Sequence, residues 1–169
     1  MKVQDECMIE IKKLSPKRWE CLRDLRLEAL QSDPLAFASS YKEEKLLKPE
    51  EWKKRVKNTL FALSNDTPVG MIVYIISDKL KTNHIANLYG VHVREEYRGQ
   101  GIGKKLVEGA LKIIQQNPNV TKIHLTVNAE QTVAVALYKR FGFEIVGTLK
   151  RELQVDGRFY DELILEKFL

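Results

Sequence analysis

A turn containing three glycines gives the sequence its clearest chemical signal. Gly99, Gly101 and Gly103 alternate with other residues directly after an apolar stretch, and apolar residues at helical spacing follow them. The first N–H groups of a helix have no partner within it, and glycine lets a ligand come close to the backbone. With the positive charges of Arg98 and Lys104 added, this turn favours an anion and predicts a diphosphate site.

The spacing of the glycines separates three kinds of phosphate site. A dinucleotide-binding fingerprint requires its third glycine three residues after the second, whereas Gly103 comes only two after Gly101. A P-loop requires a glycine where Arg98 stands and a Ser or Thr where Lys105 stands. The third pattern is Arg or Gln, two residues, Gly, one residue, then Gly or Ala, and the sequence matches it. A glycine-rich helix start without a ligand is the plain alternative.

That third pattern resembles the acetyl-coenzyme A site of the Gcn5-related N-acetyltransferase (GNAT) superfamily. One strand further along, Leu137-Tyr138 and Gly142-Phe143 are similar to the second signature of the same superfamily. Either stretch alone occurs in unrelated proteins, but the two in this order are specific. The chain is therefore identified as a member of the GNAT superfamily.

The resemblance implies transfer of an acetyl group from acetyl-coenzyme A, a cosubstrate, to a primary amine, with no metal. The pantetheine arm would lie along Val91–Val93 like an added strand, with the Val93 amide near the thioester oxygen. The diphosphate would lie on Arg98–Lys104, and Gln131 stands where relatives often carry an Asn that touches the cofactor. The expected cofactor-binding residues are Val91, His92, Val93, Arg98, Gly99, Gln100, Gly101, Ile102, Gly103, Lys104 and Gln131.

Tyr138 is the expected catalytic residue, because it aligns with the tyrosine that protonates the leaving sulfur in many relatives. A phenol stays protonated at neutral pH and so can donate a proton. The plain alternative is a tyrosine that only packs its ring on a helix. The base stays open. Asn87 lies near the position of the usual acid and cannot accept a proton, though it can hold a water that relays one. His92 is expected to face away from Val91 and Val93, with a hydrogen-bonded strand histidine as the alternative to a base. An amine that arrives already neutral would need no dedicated base. His84 and His124 are weaker candidates.

Periodicity and turn residues predict the elements that must hold these residues. The predicted order is strand, two helices, three strands, a helix, a strand, a helix and a closing pair of strands. Ser15-Pro16 and Pro49 predict helix starts, Asn65-Asp66 predicts a hairpin turn, and Gly142 predicts a helix end. The expected fold is α/β, with a mixed and mostly antiparallel sheet of about seven strands flanked by about four helices. The lack of repeats and linkers predicts one domain, residues 1–169. The predicted elements are 8–14, 15–32, part of 35–47, 49–56, 60–63, 69–76, 84–93, 101–116, 122–127, 134–141, 143–146, and two strands about Asp156-Gly157.

Composition limits the remaining classes of function. The 28 basic and 23 acidic residues give a net charge of +5, and the basic residues are scattered, so a nucleic-acid partner is not expected. No apolar run approaches the length of a membrane span, and the charged first ten residues predict a cytoplasmic protein. Cys7 and Cys21 are too few and too poorly spaced for a disulfide framework or a zinc site, so two reduced thiols are expected.

The acceptor amine is expected to be set by the amino-terminal helices, the segment 35–47 and the terminal hairpin. The stretch 26–37 resembles the opening of relatives with assorted or unknown acceptors, whereas 147–162 resembles relatives that act on small amines, amino acids and protein N-termini. Six acids there would attract a cationic amine if several lined the cleft, with solvated surface charges as the alternative: Glu43, Glu44, Glu50, Glu51, Asp161 and Glu162.

Two other functions stay open from the residues alone. One is a degenerate module that binds acetyl-coenzyme A as a sensor or regulatory subunit, and the other is a nucleotide-binding protein of another type. A homodimer through the carboxy-terminal strands is compatible with the sequence.

Overall fold

The computed structural model describes residues 8–169 as a single seven-stranded sheet with helices on both faces. The strands are β1 (Ile9–Lys13), β2 (Thr59–Ser64), β3 (Thr67–Ile76), β4 (Ile85–Val93), β5 (Lys122–Asn128), β6 (Glu144–Val155) and β7 (Arg158–Phe168). The α-helices are α1 (Trp19–Ser32), α2 (Tyr41–Glu44), α3 (Pro49–Val56), α4 (Ile102–Gln115) and α5 (Thr132–Arg140). Short 3₁₀ turns cover Pro16–Arg18, Pro34–Ala36 and Glu95–Tyr97.

The strand order across the sheet is β1-β2-β3-β4-β5-β7-β6. All neighbouring pairs among the described strands are antiparallel except β4 and β5, which run parallel. A parallel pair needs a crossover connection, and α4 provides it. The mixed, mostly antiparallel α/β sheet predicted from the sequence is thereby confirmed.

Two apolar cores lie on opposite faces of this sheet. On the α1–α3 face, α1 and α3 cover Phe61, Leu63 and Met71. On the α4–α5 face, α4 and α5 cover a larger cluster that includes Leu88 of β4 and Val127 of β5. Because side chains alternate along a strand, each strand of the sheet centre feeds both cores.

Local signals in the sequence set most of the element ends. The Ser15 hydroxyl accepts from the Lys17 N–H before Pro16, as expected for a helix start. Asn65 and Asp66 both have positive φ in the turn between β2 and β3, which suits a two-residue hairpin. Gly142, with φ +81°, ends α5 as expected.

Two expectations need correction. The short strand predicted at 143–146 is the beginning of one long strand, β6, which runs past bulges near Gly147 and Arg151 because β7 pairs with it on both sides of them. The helix after the glycine turn begins at Ile102, one residue later than predicted. Tyr41–Glu44 forms a short capped helix, which confirms that part of 35–47 is helical.

The described residues include one cysteine, and neither the geometry of a metal site nor a membrane-spanning helix is found among them. Cys21 is a free thiol, while Cys7 and the rest of the first seven residues lie outside the described part. Within residues 8–169, no group of three or more His, Cys, Asp or Glu side chains is arranged to hold a metal ion. No helix in that range is long and apolar enough to cross a membrane.

Candidate active site

The two parallel strands at the centre of the sheet separate soon after they meet. Their pairing covers only Ile85–Asn87 of β4 against Lys122–His124 of β5. Beyond that point, Leu88–Val93 and Leu125–Asn128 have no pairing with each other. We call this separation after Asn87 and His124 the fork. It leaves one edge of β4 open in the middle of the sheet, and an extended ligand can add to such an edge as a strand.

The end of β4 directs its backbone groups into the fork. The Arg94 N–H donates to the Val69 carbonyl on β3 at 2.9 Å. Because the groups of an antiparallel strand alternate between its two sides, the neighbouring Val93 directs its N–H and C=O away from β3. The side chain of Arg98 confirms this direction, since its Nε donates to the Val93 carbonyl at 2.9 Å. The Val93 N–H therefore faces the fork.

A bulge bends β4 just before this point. Met71 and Val73 of β3 oppose His92 and Tyr89 of β4, so β4 carries one extra residue there. Gly90 lies in the bulge with φ +56°, and a Cβ on it would lie 2.9 Å from Nη1 of Arg26. A side chain at position 90 would therefore be strained and would push against α1.

The glycine turn follows β4 and begins α4. Gly99 and Gly101 have φ values of +77° and +75°, and a Cβ added to either would meet no atom within 4 Å. The first helical bond runs from the Lys105 N–H to the Gly101 carbonyl at 3.1 Å. The N–H groups of residues 102–104 have no backbone carbonyl partner within the described chain. Unpaired amides beside open space fit an anionic group such as a diphosphate.

Three of the polar residues around the turn are already in contact with one another. The Gln131 side chain donates from Nε2 to Oδ1 of Asp33 at 3.2 Å. Nη2 of Arg98 lies 3.9 Å from Oδ2 of Asp33. Burial raises the pKa of the Asp33 carboxyl, although the positive charge of Arg98 acts to lower it. Two expected cofactor residues thus share one acid that the sequence analysis did not select.

His92 is buried on the α1–α3 face, with only 3 % of its surface exposed, and faces Phe37. Neither ring nitrogen has a hydrogen-bond partner within the described chain. A hydrogen-bonded strand histidine was the expected alternative to a base, and the unpartnered ring nitrogens contradict that detail. Burial and the positive charges of Arg98, Arg94 and Arg26 lower its pKa to about 4. The imidazole is therefore neutral at physiological pH.

Tyr138 lies on the other face of the sheet, in the cluster that holds Leu88 and Val127 from the two arms of the fork. Its ring packs edge-on against Phe143 at a centroid distance of 5.8 Å. It is 7 % exposed, and burial raises the pKa of its hydroxyl. The hydroxyl is thus a protonated donor over the whole physiological range.

Asn87 and His124 close the fork at its base. Nδ1 of His124 lies 3.1 Å from Oδ1 of Asn87. Because the amide oxygen only accepts, Nδ1 is the donor in this bond. The Asn128 side chain accepts from the Glu130 N–H at 2.8 Å before α5, while Gln131 is the residue that precedes the helix. Asn128 therefore shapes the turn between β5 and α5.

Of the six acids considered for the acceptor side, Glu162 is the one that lies beside the fork and lacks a basic partner among the ion pairs of the described residues. Glu44 is bound by two arginines, Glu43 caps Ser40, and Asp161 pairs with Lys150. Glu162 opposes Asn128 in the β5–β7 ladder and bonds to Thr126. Burial raises its pKa, and the nearby Glu152 charge adds to this effect.

Comparison with known proteins agrees with this geometry. The profile of the Acetyltransferase (GNAT) family matches residues 19–143. That range covers the first helix, the fork, the glycine turn and α5. The chain belongs to the GNAT family, as its two motifs predicted.

Among curated relatives, the chain is 26 % identical over 106 residues to the L-amino acid N-acetyltransferase AaaT of Escherichia coli, covering 63 % of this chain and 64 % of that protein. It is 38 % identical over 82 residues to the peptidyl-lysine N-acetyltransferase YjaB of Salmonella typhimurium, covering 48 % and 46 %. The chain thus spans less than two thirds of the length of these relatives.

Solved structures match over nearly the whole chain. A GNAT-family acetyltransferase from Streptococcus pneumoniae superposes with a TM-score of 0.85 at 25 % identity, covering 96 % of this chain and all of that one. The fold also matches yncA from Salmonella typhimurium, in a structure that contains acetyl-CoA, with a TM-score of 0.81 at 11 % identity and coverage of 95 % and 94 %.

Proposed function

We propose that this chain is an N-acetyltransferase that moves the acetyl group of acetyl-coenzyme A to a primary amine. The amine belongs to a small amine, an amino acid or a protein N-terminus. The fork carries this proposal, because it combines an open β4 edge with a glycine turn at the end of the same strand.

The residues around the fork suit the coenzyme. The unpaired amides that begin α4 would take the diphosphate, with exposed Lys104 adding charge. The pantetheine arm would add to the open edge of Val91–Val93, where the Val93 N–H supplies a donor. Gln131 reaches the same region from the start of α5 through its bond to Asp33.

The chemistry divides between the two faces of the sheet. The amine nitrogen attacks the thioester carbonyl carbon directly, so the new C–N bond forms and the C–S bond breaks. The Val93 N–H would stabilise the negative charge that develops on the carbonyl oxygen. The Tyr138 hydroxyl would give its proton to the departing sulfur from the α4–α5 face. The amine loses one proton and the sulfur gains one from Tyr138, so the products are the acetylated amine and free coenzyme A, and Tyr138 regains its proton from water.

Glu162 would take the proton that the amine loses. Leu125 and Val127 of β5 point to the α4–α5 face, so Thr126 between them points to the α1–α3 face. Glu162 of β7 lies on that same α1–α3 face. A carboxylate whose pKa is raised is a better proton acceptor than an ordinary one. The acid and the base would thus approach the thioester from opposite faces.

A thiol-release assay over a panel of amines tests the proposal. Steady release of free coenzyme A, with acetylated amine identified by mass spectrometry, is the expected result. A chain that binds acetyl-coenzyme A in calorimetry but releases no coenzyme A with any amine would be a sensor, and the proposal would be wrong. Matched titrations with ATP and NAD address the third function: tighter binding of either one would point to another type of nucleotide site.

A further inference from the structure

A cavity of about 420 Å³ opens on the α1–α3 face beside the fork. Its floor is formed by Val73 and Ile75 of β3 and by Tyr89 of β4, two residues after the base of the fork. Trp52 and Leu22 form its apolar walls, and Tyr89 stays half exposed at the rim. The volume lies in the range of small-molecule sites, with apolar walls and a few polar groups.

The polar groups of this cavity are mostly cationic. Glu44 is buried and is held by Arg26 through Nε at 3.0 Å and Nη2 at 2.8 Å. Nη1 of Arg55 lies 3.0 Å from the same carboxylate. Although burial alone would raise the Glu44 pKa, the two arginines lower it. One negative charge therefore faces two arginines, and Lys54 adds a third positive charge to the lining.

Of the two arginines, Arg55 is the one whose guanidinium is more available to donate hydrogen bonds to a ligand. Its side chain is 40 % exposed, against 14 % for Arg26, and its ion pair with Glu44 runs through Nη1. The guanidinium is held over the Trp52 ring at 5.4 Å. A guanidinium has five N–H donors in a fixed plane that matches a carboxylate. Its anchored position makes a second carboxylate ligand the natural partner for the remaining donors.

We infer that the acceptor of this chain is an amine that carries a carboxylate, and that Arg55 binds that carboxylate while the amine lies at the fork. This inference rests on the proposed function and narrows its substrate class to amino acids and related small amino-carboxylates. A polyamine would bring more positive charge to a cavity with three cations and one anion, so it is disfavoured. The apolar walls would hold the side chain of the acceptor.

Matched pairs of amines test the inference in the full chain with acetyl-coenzyme A. The pairs are leucine and leucinamide, glycyl-leucine and its amide, and 4-aminobutyrate and its amide, with spermidine alongside. At least one carboxylate should exceed its amide by about tenfold or more in kcat/KM, which corresponds to one well-placed charged contact. In Arg55→Gln that ratio should fall toward one, Arg55→Lys should restore part of it, and Lys53→Gln on the exposed side of α3 should retain it.

The outcomes distinguish failure of the carboxylate site from failure of the acetyltransferase activity. Equal rates for every pair, or a preference for spermidine, overturn the inference and leave the N-acetyltransferase proposal standing. A carboxylate preference that Arg55→Gln leaves unchanged overturns the role of Arg55. Absence of turnover with every amine overturns the proposed function and this inference with it.

Discussion

Gln131 and Asp33 are joined by a side-chain hydrogen bond of 3.2 Å although they stand 98 positions apart in the sequence. The bond connects the start of α5 to the end of α1. The adjoining Pro34–Ala36 turn contacts β4, β5 and β6, so this connection crosses the fork. Arg98 lies against the same carboxylate. A single acid therefore sits among the groups expected to receive the coenzyme.

Asp33→Asn should tighten the binding of acetyl-coenzyme A. The substitution removes one negative charge that lies close to Arg98 and the glycine turn, and a charge at this range is worth a fraction of a kcal/mol to about 1 kcal/mol in water. The dissociation constant from calorimetry should fall by about two- to fivefold. Asp24→Asn, which changes an exposed acid on α1, is the matched control. Weaker binding in Asp33→Asn would show that this acid positions Gln131 and Arg98 for the ligand.

Tyr138→Phe should lower the turnover number by about 100-fold or more, because general acid catalysis contributes about 10²–10⁴. The ring and its contact with Phe143 are retained, so the fold should persist. Tyr74→Phe is the control, since Tyr74 is a buried tyrosine of the same apolar cluster. Steady-state thiol release measures the effect, and circular dichroism checks the fold. Unchanged turnover in a folded Tyr138→Phe would remove this residue from the mechanism.

Gly101→Ala and Gly103→Ala should behave differently although they are two residues apart. Gly101 has φ +75°, where a Cβ costs roughly 1–2 kcal/mol, so the variant should lose stability and bind acetyl-coenzyme A more weakly. At Gly103 no positive φ is required, and a Cβ would lie 3.7 Å from Leu137 in ordinary contact. Binding by Gly103→Ala should stay within about threefold of the parent. Equal loss in both variants would contradict this account of the turn.

Glu162→Gln should reduce kcat/KM by about tenfold or more at neutral pH, because the amide cannot accept the proton of the acceptor amine. In the parent, activity should fall as the pH drops through the raised pKa of Glu162, since protonation removes the base. This fall in activity, the acidic limb of the pH profile, should be absent from Glu162→Gln. Glu144→Gln, an exposed acid at the start of β6, should retain the parental profile. An unaltered limb in Glu162→Gln would assign the proton to another group.

His92 should make the protein less stable in acid. Its folded-state pKa of about 4 lies below the ordinary value of 6.5, so its contribution is complete above pH 6.5 and is lost as the pH falls toward 4. The loss is on the order of 3 kcal/mol for a shift of this size. In His92→Gln, thermal unfolding should depend less on pH between 6.5 and 4, whereas exposed His84→Gln should follow the parent. Identical pH curves for parent and His92→Gln would contradict the buried, unpaired state of the ring.

Local chemistry in the chain was sufficient to predict the glycine turn, the helix starts at Ser15 and Pro49, and the hairpin turn at Asn65-Asp66. Each depends on residues close together in sequence. The same local rules failed at β6, where Gly147 and the positive φ of Arg151 indicate a break. Pairing with β7 overrides those signals, and such pairing is not encoded locally.

The candidate site divides in the same way. The two family-like motifs predicted the turn and Tyr138 by position. The Arg26–Glu44–Arg55 group and the Asp33–Gln131 bond join separate elements, so no pattern within one segment could predict them. A cluster of acids next to basic residues was visible in α2 and α3. The folded arrangement shows that two arginines neutralise Glu44, while Glu162 has no basic partner among the ion pairs of residues 8–169.

The short parallel ladder between β4 and β5 has a mechanical consequence. Among the described strands, the β4–β5 ladder joins the half of the sheet that carries β1–β3 to the half that carries β6 and β7 through three residue pairs. A molecule bound between the separated strands would provide the ladder hydrogen bonds that β4 and β5 do not make with each other, and it would hold the two halves of the sheet together. Cohesion across the middle of the domain and affinity for that molecule are then thermodynamically linked.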